Sequence, residues 1–471
     1  MKKTKIVTSM GPASTSVEVF TKMVESGANI ARINFSHATI EERENVVRVV
    51  KEVRKNLNRS IGILYDTKGP EFRNGEVVPE GIKLETGNLI KVVKEDVIGN
   101  QERFSLNHPE AIDALQIGNT ILLENGLMSI EVIDKKDDEL TCKVINGGTL
   151  FSRKSLAAPG VDLNIPFISE VDEEDIRYAC RHDGNYLAAS FVQCKEDVLA
   201  IRKILEEENR SDMKIISKIE SQRGIDNLEE IIAVSDGAMV ARGDLGVEVP
   251  MYLLPIYQKK IVATCRKNKK TCIVATEMLE SMKHNPRPTR AEVTDVANAV
   301  YNGTDAVMLS GETTTGEYPV ETVKAMGDIA ENIEKSITYK NIYAEFTVNN
   351  LTDAIIKSVA EAANSLDAKL IVVPTMSGTS ARLISNLEPK CPILALVSDE
   401  NVGNSIELNY GVSSKVVDFW NDLDEIIMKS KEEAKNFIDL KEGDHIIITG
   451  GFNPVNNEDV SPTNFMKIEK I

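Results

Sequence analysis

The chain has 471 residues, 42% hydrophobic and 27% charged, which is the ordinary composition of a soluble globular protein. At about 100–200 residues per domain, this length predicts two to four domains. There are 55 Lys and Arg against 73 Asp and Glu, so the net charge is −18. This balance argues against general nucleic-acid binding, which needs a positive face, but it is compatible with a local basic cluster around a small anion.

Targeting and membrane signals are not apparent in the sequence. The first apolar stretch ends at Gly11-Pro12, too early for a secretory signal, and apolar runs such as residues 393–397 are far shorter than a membrane span. No pair of cysteines forms a C-x-x-C motif. We interpret all six as reduced structural thiols of a cytoplasmic protein without membrane contact: Cys142, Cys180, Cys194, Cys265, Cys272 and Cys391.

The first 66 residues alternate short apolar runs with helical patterns. Strands are predicted at residues 4–9, 29–34 and 61–66, and a helix at 17–26 follows Ser16 as its cap. A longer helix begins at the capping-box pattern Thr39-Ile40-Glu41-Glu42. Such βαβαβ alternation is typical of a parallel sheet.

The alternation stops over residues 69–163, where short alternating runs and turn pairs such as Asn125-Gly126 predict a small β domain. It then resumes, with strands predicted at 186–191, 214–218, 237–241, 271–276 and 306–310. Eight βα units with one insertion predict a TIM barrel. Its two parts are residues 1–68 and 164–342, and the insertion is a small β-barrel domain that serves as a lid.

Residues 343–471 show a second βα pattern. Strands are predicted at 370–374, 393–397, 412–417 and 445–449, the last of which is the last clear strand. Helices between them predict a C-terminal doubly wound α/β domain. The predicted fold class is therefore α/β, a TIM (β/α)8 barrel with an inserted small β-barrel domain and a C-terminal doubly wound domain.

The predicted barrel strands end in polar side chains, at the end where barrel active sites are built. Lys218 and Glu220 lie two residues apart in an Ile-rich strand and so point to the same side. A glutamate can hold Mg²⁺ and a lysine can meet a phosphoryl group. A simple ion pair is the alternative interpretation.

Two further groups suggest ligand sites. In Arg242-Gly243-Asp244 the glycine permits close backbone approach, and Asp244 could supply a second carboxylate to Mg²⁺ or Mn²⁺, although most such triplets are exposed turns. Oxygen donors also follow two neighbouring strands and can hold a monovalent cation. They are Asn34, Ser36, Asp66 and Thr67. Turn capping is the alternative for this second group.

Eight blocks of the barrel resemble pyruvate kinase in order and spacing, and the insertion and C-terminal domain fall where that family has them. The blocks are residues 5–14, 32–37, 66–73, 216–220, 239–246, 275–282, 285–292 and 305–312. The resemblance implies a glycolytic phosphotransferase that moves the phosphoryl group of phosphoenolpyruvate to ADP, giving pyruvate and ATP. It also implies a homotetramer.

The resemblance implies roles for matching residues. Lys218 would stabilise the transferring phosphoryl group, and Arg32 would meet the phosphate. The Gly243 backbone and Thr276 would contact the carboxylate end, with Thr276 near the face where the enolate is protonated. The implied ligand sets are Glu220 and Asp244 for Mg²⁺ (or Mn²⁺), Asn34, Ser36, Asp66 and Thr67 for K⁺, and Asn34, His37, Arg73 and Lys154 for the nucleotide.

The sequence also departs from the family. Glu277 stands where the family usually has Gln, and Arg223 replaces an acidic or amide residue. Residues 155–160 are an unusual version of the segment after Lys154. Glu71 stands at a position where, in this family, Glu accompanies K⁺ dependence and Lys accompanies independence.

A regulatory anion site is predicted where the strand at 370–374 leads into a helix. A helix start offers free N–H groups to phosphate, although an ordinary N-cap is the alternative. The predicted residues are Thr375, Ser377, Gly378, Thr379 and Ser380. In the chain-end segment 450–464, Glu458 and Asp459 would repel a second phosphate. We therefore expect a monophosphate effector, such as a sugar monophosphate or AMP, rather than fructose 1,6-bisphosphate.

Two alternatives come from other functional classes. One is a family member that binds phosphoenolpyruvate or nucleotide as a sensor without turnover. The other is a different barrel enzyme that acts on pyruvate or phosphoenolpyruvate, such as an aldolase. The intact set of Lys218, Glu220, Asp244 and Thr276 argues against the first, and the insertion and C-terminal domain argue against the second.

Overall fold

The structure is a computed structural model that describes residues 1–337, 346–418, 420, 422–451 and 462–471. Its first section alternates strands and helices as the sequence predicts. The hydroxyl of Ser16 caps the first helix, and Thr39 and Glu42 form a capping box at the second. The elements are β1 (Lys5–Ser9), α1 (Val17–Glu25), β2 (Ile30–Asn34), α2 (Ile40–Leu57) and β3 (Gly62–Asp66).

A β-rich segment lies between β3 and the next barrel helix. A six-stranded sheet and a two-stranded sheet enclose their own apolar core, which includes Phe104, Ile121 and Ile130. The segment contains β4 (Ile82–Leu84), β5 (Leu89–Val93), β6 (Arg103–Ser105), the single-turn α3 (Ala111–Ala114), β7 (Thr120–Leu123), β8 (Met128–Lys136), β9 (Glu139–Asn146), β10 (Gly148–Leu150) and β11 (Leu156–Ala157). The predicted β insertion is therefore confirmed as β structure.

The βα alternation then resumes. Two short 3-10 helices, Met251–Leu253 and Glu280–Lys283, interrupt it. The other elements are α4 (Glu170–Arg181), β12 (Tyr186–Ala189), α5 (Lys195–Glu207), β13 (Lys214–Ile219), α6 (Gln222–Asp226), α7 (Leu228–Val234), β14 (Gly237–Ala241), α8 (Arg242–Glu248), α9 (Leu254–Lys267), β15 (Thr271–Ala275), α10 (Arg290–Tyr301), β16 (Ala306–Leu309), α11 (Gly311–Thr314) and α12 (Pro319–Glu334).

Eight parallel strands close into a barrel in the order β1-β16-β15-β14-β13-β12-β3-β2. All eight were predicted, with ends that differ by two residues or fewer. Because parallel strands all end at the same rim, the side chains after β2, β3, β13, β14 and β15 meet there. The predicted TIM barrel is confirmed, and its rim is where the candidate site must lie.

The C-terminal section forms a five-stranded sheet in the order β19-β18-β17-β20-β21, with apolar clusters on both faces. Its elements are α13 (Leu351–Ser365), β17 (Leu370–Pro374), α14 (Thr379–Ser385), β18 (Ile393–Val397), α15 (Glu400–Ile406), β19 (Val412–Val416), α16 (Leu423–Phe437), β20 (His445–Gly450) and β21 (Phe465–Lys470). The prediction of the strand at 445–449 as the last one missed β21, an antiparallel edge strand. The expected boundary at residue 343 lies outside the described residues.

The C-terminal section packs against the barrel at the end opposite the site. Leu408 belongs to the apolar cluster that fills the barrel interior. Its backbone N–H donates to the hydroxyl of Tyr186 at 3.1 Å, and that hydroxyl donates to the carbonyl of Asn404 at 3.3 Å. The barrel core is therefore completed by a residue from the next domain.

The described residues bear on the predictions made for membrane spans and for the cysteines. No helix in that part of the chain is long and apolar enough to cross a membrane. All six cysteines are free thiols, and only Cys194 is not fully buried.

Candidate active site

Lys218 is the centre of a buried charge cluster at the rim of the barrel. Its ammonium Nζ lies 3.0 Å from Asp66 Oδ1 and 3.0 Å from Glu220 Oε1, and it donates to Ser190 Oγ at 2.7 Å. Burial lowers the pKa of Lys218, but the charges of Asp66 and Glu220 outweigh it and hold the pKa above its ordinary value. The lysine is therefore a fixed positive charge at any working pH.

Arg32 adds a second cation beside the first. Its Nε donates to Asp66 Oδ2 at 2.7 Å, and its Nη1 donates to Ser9 Oγ at 2.7 Å. Burial raises the pKa of Asp66, yet Arg32 and Lys218 together keep it below its usual range. The ionised Asp66 thus aligns two cations from different strands toward one point, an arrangement suited to an anionic group.

Glu220 is the candidate metal ligand with the clearest structural support. Its Oε2 accepts the Phe191 N–H at 2.6 Å, whereas the buried Oε1 has no well-directed hydrogen bond among the described residues. Burial, together with the charge of Asp244, raises the pKa of Glu220 to about 7 against the opposing effect of Lys218. A divalent cation between the two carboxylates would remove this cost, so the residues present fit Mg²⁺ or Mn²⁺.

The carboxylates alone do not complete a metal site. No group of three or more His, Cys, Asp or Glu side chains within the described ranges could hold a metal ion. Because Mg²⁺ prefers six oxygen ligands, substrate and water oxygens would have to supply the rest. Asp244 is exposed at the start of α8, where such ligands can reach it.

Thr276 has an unusual backbone conformation directly after β15. Its φ is +70°, in the left-handed region that β-branched residues avoid. The Arg242 guanidinium donates to the carbonyls of Ala275 and Thr276 and is itself held by Asp295 at 2.6 Å. Such strain persists only where surrounding contacts enforce it, and it is frequent at functional sites.

Open space lies beside Thr276. A Cβ added to Gly243 would meet Thr276 Oγ1 at 3.8 Å, an ordinary contact, so packing within the protein does not require glycine there. The space beside the Gly243 backbone is instead available to a ligand. Glu277, the residue that departs from the family, also has a positive φ of +51° and is exposed to solvent.

The predicted monovalent-cation residues lie on two paired strands. The parallel register pairs Asn34 with Asp66. Asn34 Oδ1 accepts the Ser36 N–H at 3.0 Å, and Thr67 Oγ1 accepts the Ser190 N–H at 3.0 Å. The Thr67 carbonyl accepts a hydrogen bond from the Ser190 hydroxyl at 2.6 Å. The structure thus brings these oxygens to one rim, although both Asp66 oxygens already meet cations of the protein.

The predicted nucleotide residues are more dispersed. His37 is exposed on the loop after β2, and Arg73 pairs with Glu71 through Nε and Nη2 at 3.0 and 2.9 Å. Lys154 pairs with Glu124, another residue of the inserted segment, at 2.6 Å. In this conformation Lys154 is therefore engaged within the insertion.

A cavity of about 660 Å³ lies between the inserted segment and the barrel rim. Asp244 lines it, and so does Glu248, a residue that the sequence analysis did not single out. Arg223 also lines it and forms an ion pair with Asp162, on the segment that returns from the insertion. Arg223 thus has an acidic partner in this chain, 61 residues away.

The predicted effector segment precedes α14. Gly378 has a φ of +74°, and a Cβ there would lie 2.4 Å from Ile406 Cγ2, so glycine is required. The Gly378 N–H donates to Thr375 Oγ1 at 3.1 Å, and Ser380 Oγ lies 2.6 Å from Thr463 Oγ1. The expected influence of Glu458 and Asp459 concerns residues outside the described ranges.

Comparison with known proteins agrees with this geometry. A family model described as pyruvate kinase, barrel domain, matches residues 1–323, and one described as pyruvate kinase, alpha/beta domain, matches residues 353–469. The pyruvate kinases of Bacillus licheniformis and Geobacillus stearothermophilus are 43% and 42% identical to this chain, covering 99% and 100% of it and 80% of each relative. A crystal structure of a pyruvate kinase from Cryptosporidium parvum has a TM-score of 0.94 at 35% identity and covers 100% of this chain and 96% of that one. The chain therefore belongs to the pyruvate kinase family, whose members transfer the phosphoryl group of phosphoenolpyruvate to ADP and release pyruvate and ATP.

Proposed function

We propose that the Lys218 cluster is where this enzyme moves the phosphoryl group between phosphoenolpyruvate and ADP. The observation that supports this most is the position of Lys218 Nζ, 3.0 Å from both Asp66 and Glu220 at the barrel rim. Phosphoryl transfer requires little covalent chemistry from the protein and depends on cations placed around the transferring group. Lys218 and Arg32 are those cations, and Asp66 fixes both of them.

The substrate carboxylate would lie at the space beside Gly243 and Thr276. The Thr276 hydroxyl is held by its own loop, near the carbon that takes up a proton after transfer. It donates its proton to the Ala275 carbonyl at 2.6 Å, so the hydroxyl would rotate toward the substrate when it takes part in proton transfer. The strained backbone would pre-position the hydroxyl oxygen, so that binding energy is not spent in placing it.

The family in general uses a divalent metal and potassium. We propose that Glu220 and Asp244 hold Mg²⁺ or Mn²⁺, and that Asn34, Ser36, Asp66 and Thr67 hold K⁺. When bound, these ions add positive charge where the phosphoryl group transfers. The buried Glu220 Oε1, which has an ion-pair contact with Lys218 but no well-directed hydrogen bond among the described residues, supports the first assignment. The K⁺ assignment requires one Asp66 oxygen to be shared between K⁺ and either Arg32 or Lys218.

Residues 69–163 are proposed to be a lid, with Asn34, His37, Arg73 and Lys154 on the nucleotide side. The cavity of about 660 Å³ beneath the insertion gives ADP access to the rim. Lid closure would exclude water, which otherwise accepts the phosphoryl group. For Lys154 to reach the nucleotide, it would have to exchange its partner Glu124 for a phosphate oxygen.

Self-association, location and regulation are also proposals. Met251 and Tyr252 of the 3-10 helix before α9, and Ile256 of α9, are largely exposed and form an apolar surface suited to another copy of the chain in a homotetramer. Six free thiols fit a reducing, cytoplasmic environment. The C-terminal segment of residues 375–380 is proposed to bind a phosphorylated effector.

One assay tests the proposed function. ADP-dependent pyruvate formation from phosphoenolpyruvate, coupled to NADH oxidation by lactate dehydrogenase, should require a divalent metal. A protein that binds phosphoenolpyruvate or nucleotide without turnover would indicate the sensor alternative. Pyruvate formation that does not depend on ADP would indicate a different barrel enzyme, such as an aldolase.

A further inference from the structure

The loop between β2 and α2 carries three of the proposed ligands, Asn34, Ser36 and His37. On one side it is fixed to the next strand, because the Phe35 N–H donates to the Asp66 carbonyl at 3.0 Å. Within the loop, the N–H groups of His37 and Ala38 donate to the Asn34 carbonyl at 3.3 and 3.1 Å. These bonds leave the outward-facing carbonyls of the loop in need of donors.

Arg43 supplies those donors from the first turn of α2. Its Nη2 donates to the Phe35 carbonyl at 3.2 Å, and its Nε donates to the Ala38 carbonyl at 2.9 Å. The two carbonyls come immediately before Ser36 and immediately after His37. One guanidinium therefore brackets both ligand residues.

Arg43 is itself held tightly. Its Nη1 donates to Asp175 Oδ1 of α4 at 2.6 Å, and the two side chains are only 12% and 11% exposed. The guanidinium carbon lies 4.3 Å from the Phe35 ring centre and 5.6 Å from that of Tyr178. A charged group with a buried partner and two aromatic contacts has one preferred position.

Only arginine can make this set of contacts. Its planar fork donates in three directions at once, whereas a lysine ammonium at the end of a flexible stem cannot reach two carbonyls and a carboxylate together. Lysine would still neutralise Asp175. An Arg43→Lys substitution thus removes the clamp on the loop but keeps the charge.

We propose that Arg43, held by Asp175, is a positioning residue that fixes the loop bearing the cation and nucleotide ligands Asn34, Ser36 and His37. This inference rests on the proposed assignment of those ligands. Arg43 itself does not touch the reacting atoms. Its loss should weaken K⁺ and ADP binding. Turnover at saturation should stay close to normal, because Lys218, Arg32 and Thr276 are held in place by contacts that do not involve Arg43.

The same helix offers a matched control, Arg54. Its side chain is also 12% exposed, and it also clamps a backbone carbonyl and pairs with an aspartate. Its Nε and Nη2 donate to the Ile61 carbonyl at 2.8 and 2.5 Å, and its partner is Asp183. Ile61 precedes β3, at the opposite end of the barrel from the site. Arg54→Lys should cost similar stability without affecting the ligands.

The experiment compares the wild-type enzyme with the Arg43→Lys and Arg54→Lys variants. Arg43→Lys should raise the half-activating K⁺ concentration and the KM for ADP by about tenfold, the effect of losing one or two charge-assisted hydrogen bonds. Its kcat at saturation should remain roughly normal, and backbone amides of residues 35–38 should exchange hydrogen faster. Arg54→Lys should show none of these changes. If Arg43→Lys fails to fold, Asp175→Asn keeps Arg43 and should shift the same constants to a smaller extent.

The outcomes separate the two proposals. Unchanged constants and unchanged exchange in Arg43→Lys, or equal shifts in Arg54→Lys, would overturn the positioning role. Full wild-type activity without K⁺ would instead contradict the cation assignment. The KM for ADP and the amide hydrogen-exchange rate of residues 35–38 would then decide the role of Arg43 independently of K⁺.

Discussion

The Gly243 backbone N–H donates to Thr276 Oγ1 at 2.9 Å and so ties together the loops that follow two neighbouring barrel strands. The same hydroxyl donates its own proton to the Ala275 carbonyl at 2.6 Å. A substrate carboxylate that binds at Gly243 would take over its N–H group and free one side of the hydroxyl. In the proposed site, substrate binding would therefore change the hydrogen bonding of Thr276.

Thr276→Val should lower kcat by about 10²-fold, since it removes the hydroxyl but keeps the β-branched shape. Thr276→Ser should retain most activity. Solvent exchange of the pyruvate methyl protons in the presence of ATP, followed by NMR, isolates the protonation step and should fall in parallel. Near-normal exchange in the valine variant would exclude the hydroxyl from proton transfer.

Lys218→Met should lower kcat far more than it raises KM, by about 10²–10³-fold, because a preorganised charge acts most strongly as negative charge redistributes. It also leaves Asp66 and Glu220 buried beside one cation fewer, so thermal stability should fall. Steady-state kinetics on protein verified as folded by circular dichroism measures the first effect. Turnover close to that of the wild type would remove Lys218 from the mechanism.

Activity should depend on K⁺, and Glu71→Lys should relieve that dependence because an ammonium can replace a monovalent cation. The structure adds a control, since Glu71 also pairs with Arg73. Glu71→Gln breaks that pair without adding an ammonium and should remain K⁺-dependent. The assay uses buffer free of Na⁺ and K⁺, with tetramethylammonium as counter-ion. Full wild-type activity in that buffer would contradict the prediction.

Glu248 should make the protein less stable as pH rises. Burial, with a smaller effect of the Asp244 charge, raises its pKa to about 7. The unfolded value is about 4.3, so the folded state binds more protons between those pH values, and the stability contributed by this group is lost through that window. Glu248→Gln should therefore stabilise the protein at pH 8, on the order of 2 kcal/mol, and much less at pH 4.5.

Thermal unfolding of the wild type and the Glu248→Gln variant at the two pH values measures this difference. Asp226→Asn is the control, since Asp226 lines the same cavity but is exposed. If Glu248→Gln stabilises the protein equally at both pH values, charge burial is not the cause.

Residues 375–380 should respond to a monophosphate. The Gly378 N–H is already used by Thr375 Oγ1, so a phosphate must displace local hydroxyls to bind. Sugar monophosphates, AMP and fructose 1,6-bisphosphate are titrated at sub-saturating phosphoenolpyruvate. Activation by the bisphosphate alone that is lost in Ser377→Glu would support the site but contradict the monophosphate prediction. No response to any of these phosphates would contradict both the site and the ligand.

The sequence was most informative where the pattern is local. The eight barrel strands are short, buried and followed by polar residues, so their positions could be read directly, as could the Lys218–Glu220 pair at a spacing of two. The strand Phe465–Lys470 was missed because it is an edge strand with little burial. Nothing in the sequence marks a left-handed Thr276, since threonine avoids that conformation. Asp175 lies 132 residues from Arg43, and only the closed barrel brings the two together.

The position of Leu408 bears on how such proteins can be recombined. Leu408 belongs to the C-terminal section but packs into the barrel interior. Separating the barrel from the C-terminal section would therefore leave a cavity inside the barrel. A chimera that takes its C-terminal section from a relative must therefore preserve the packing of that section against the end of the barrel opposite the site, whatever effector site it introduces. Evolution faces the same restriction, so we expect the two sections to have been inherited together rather than shuffled as separate modules.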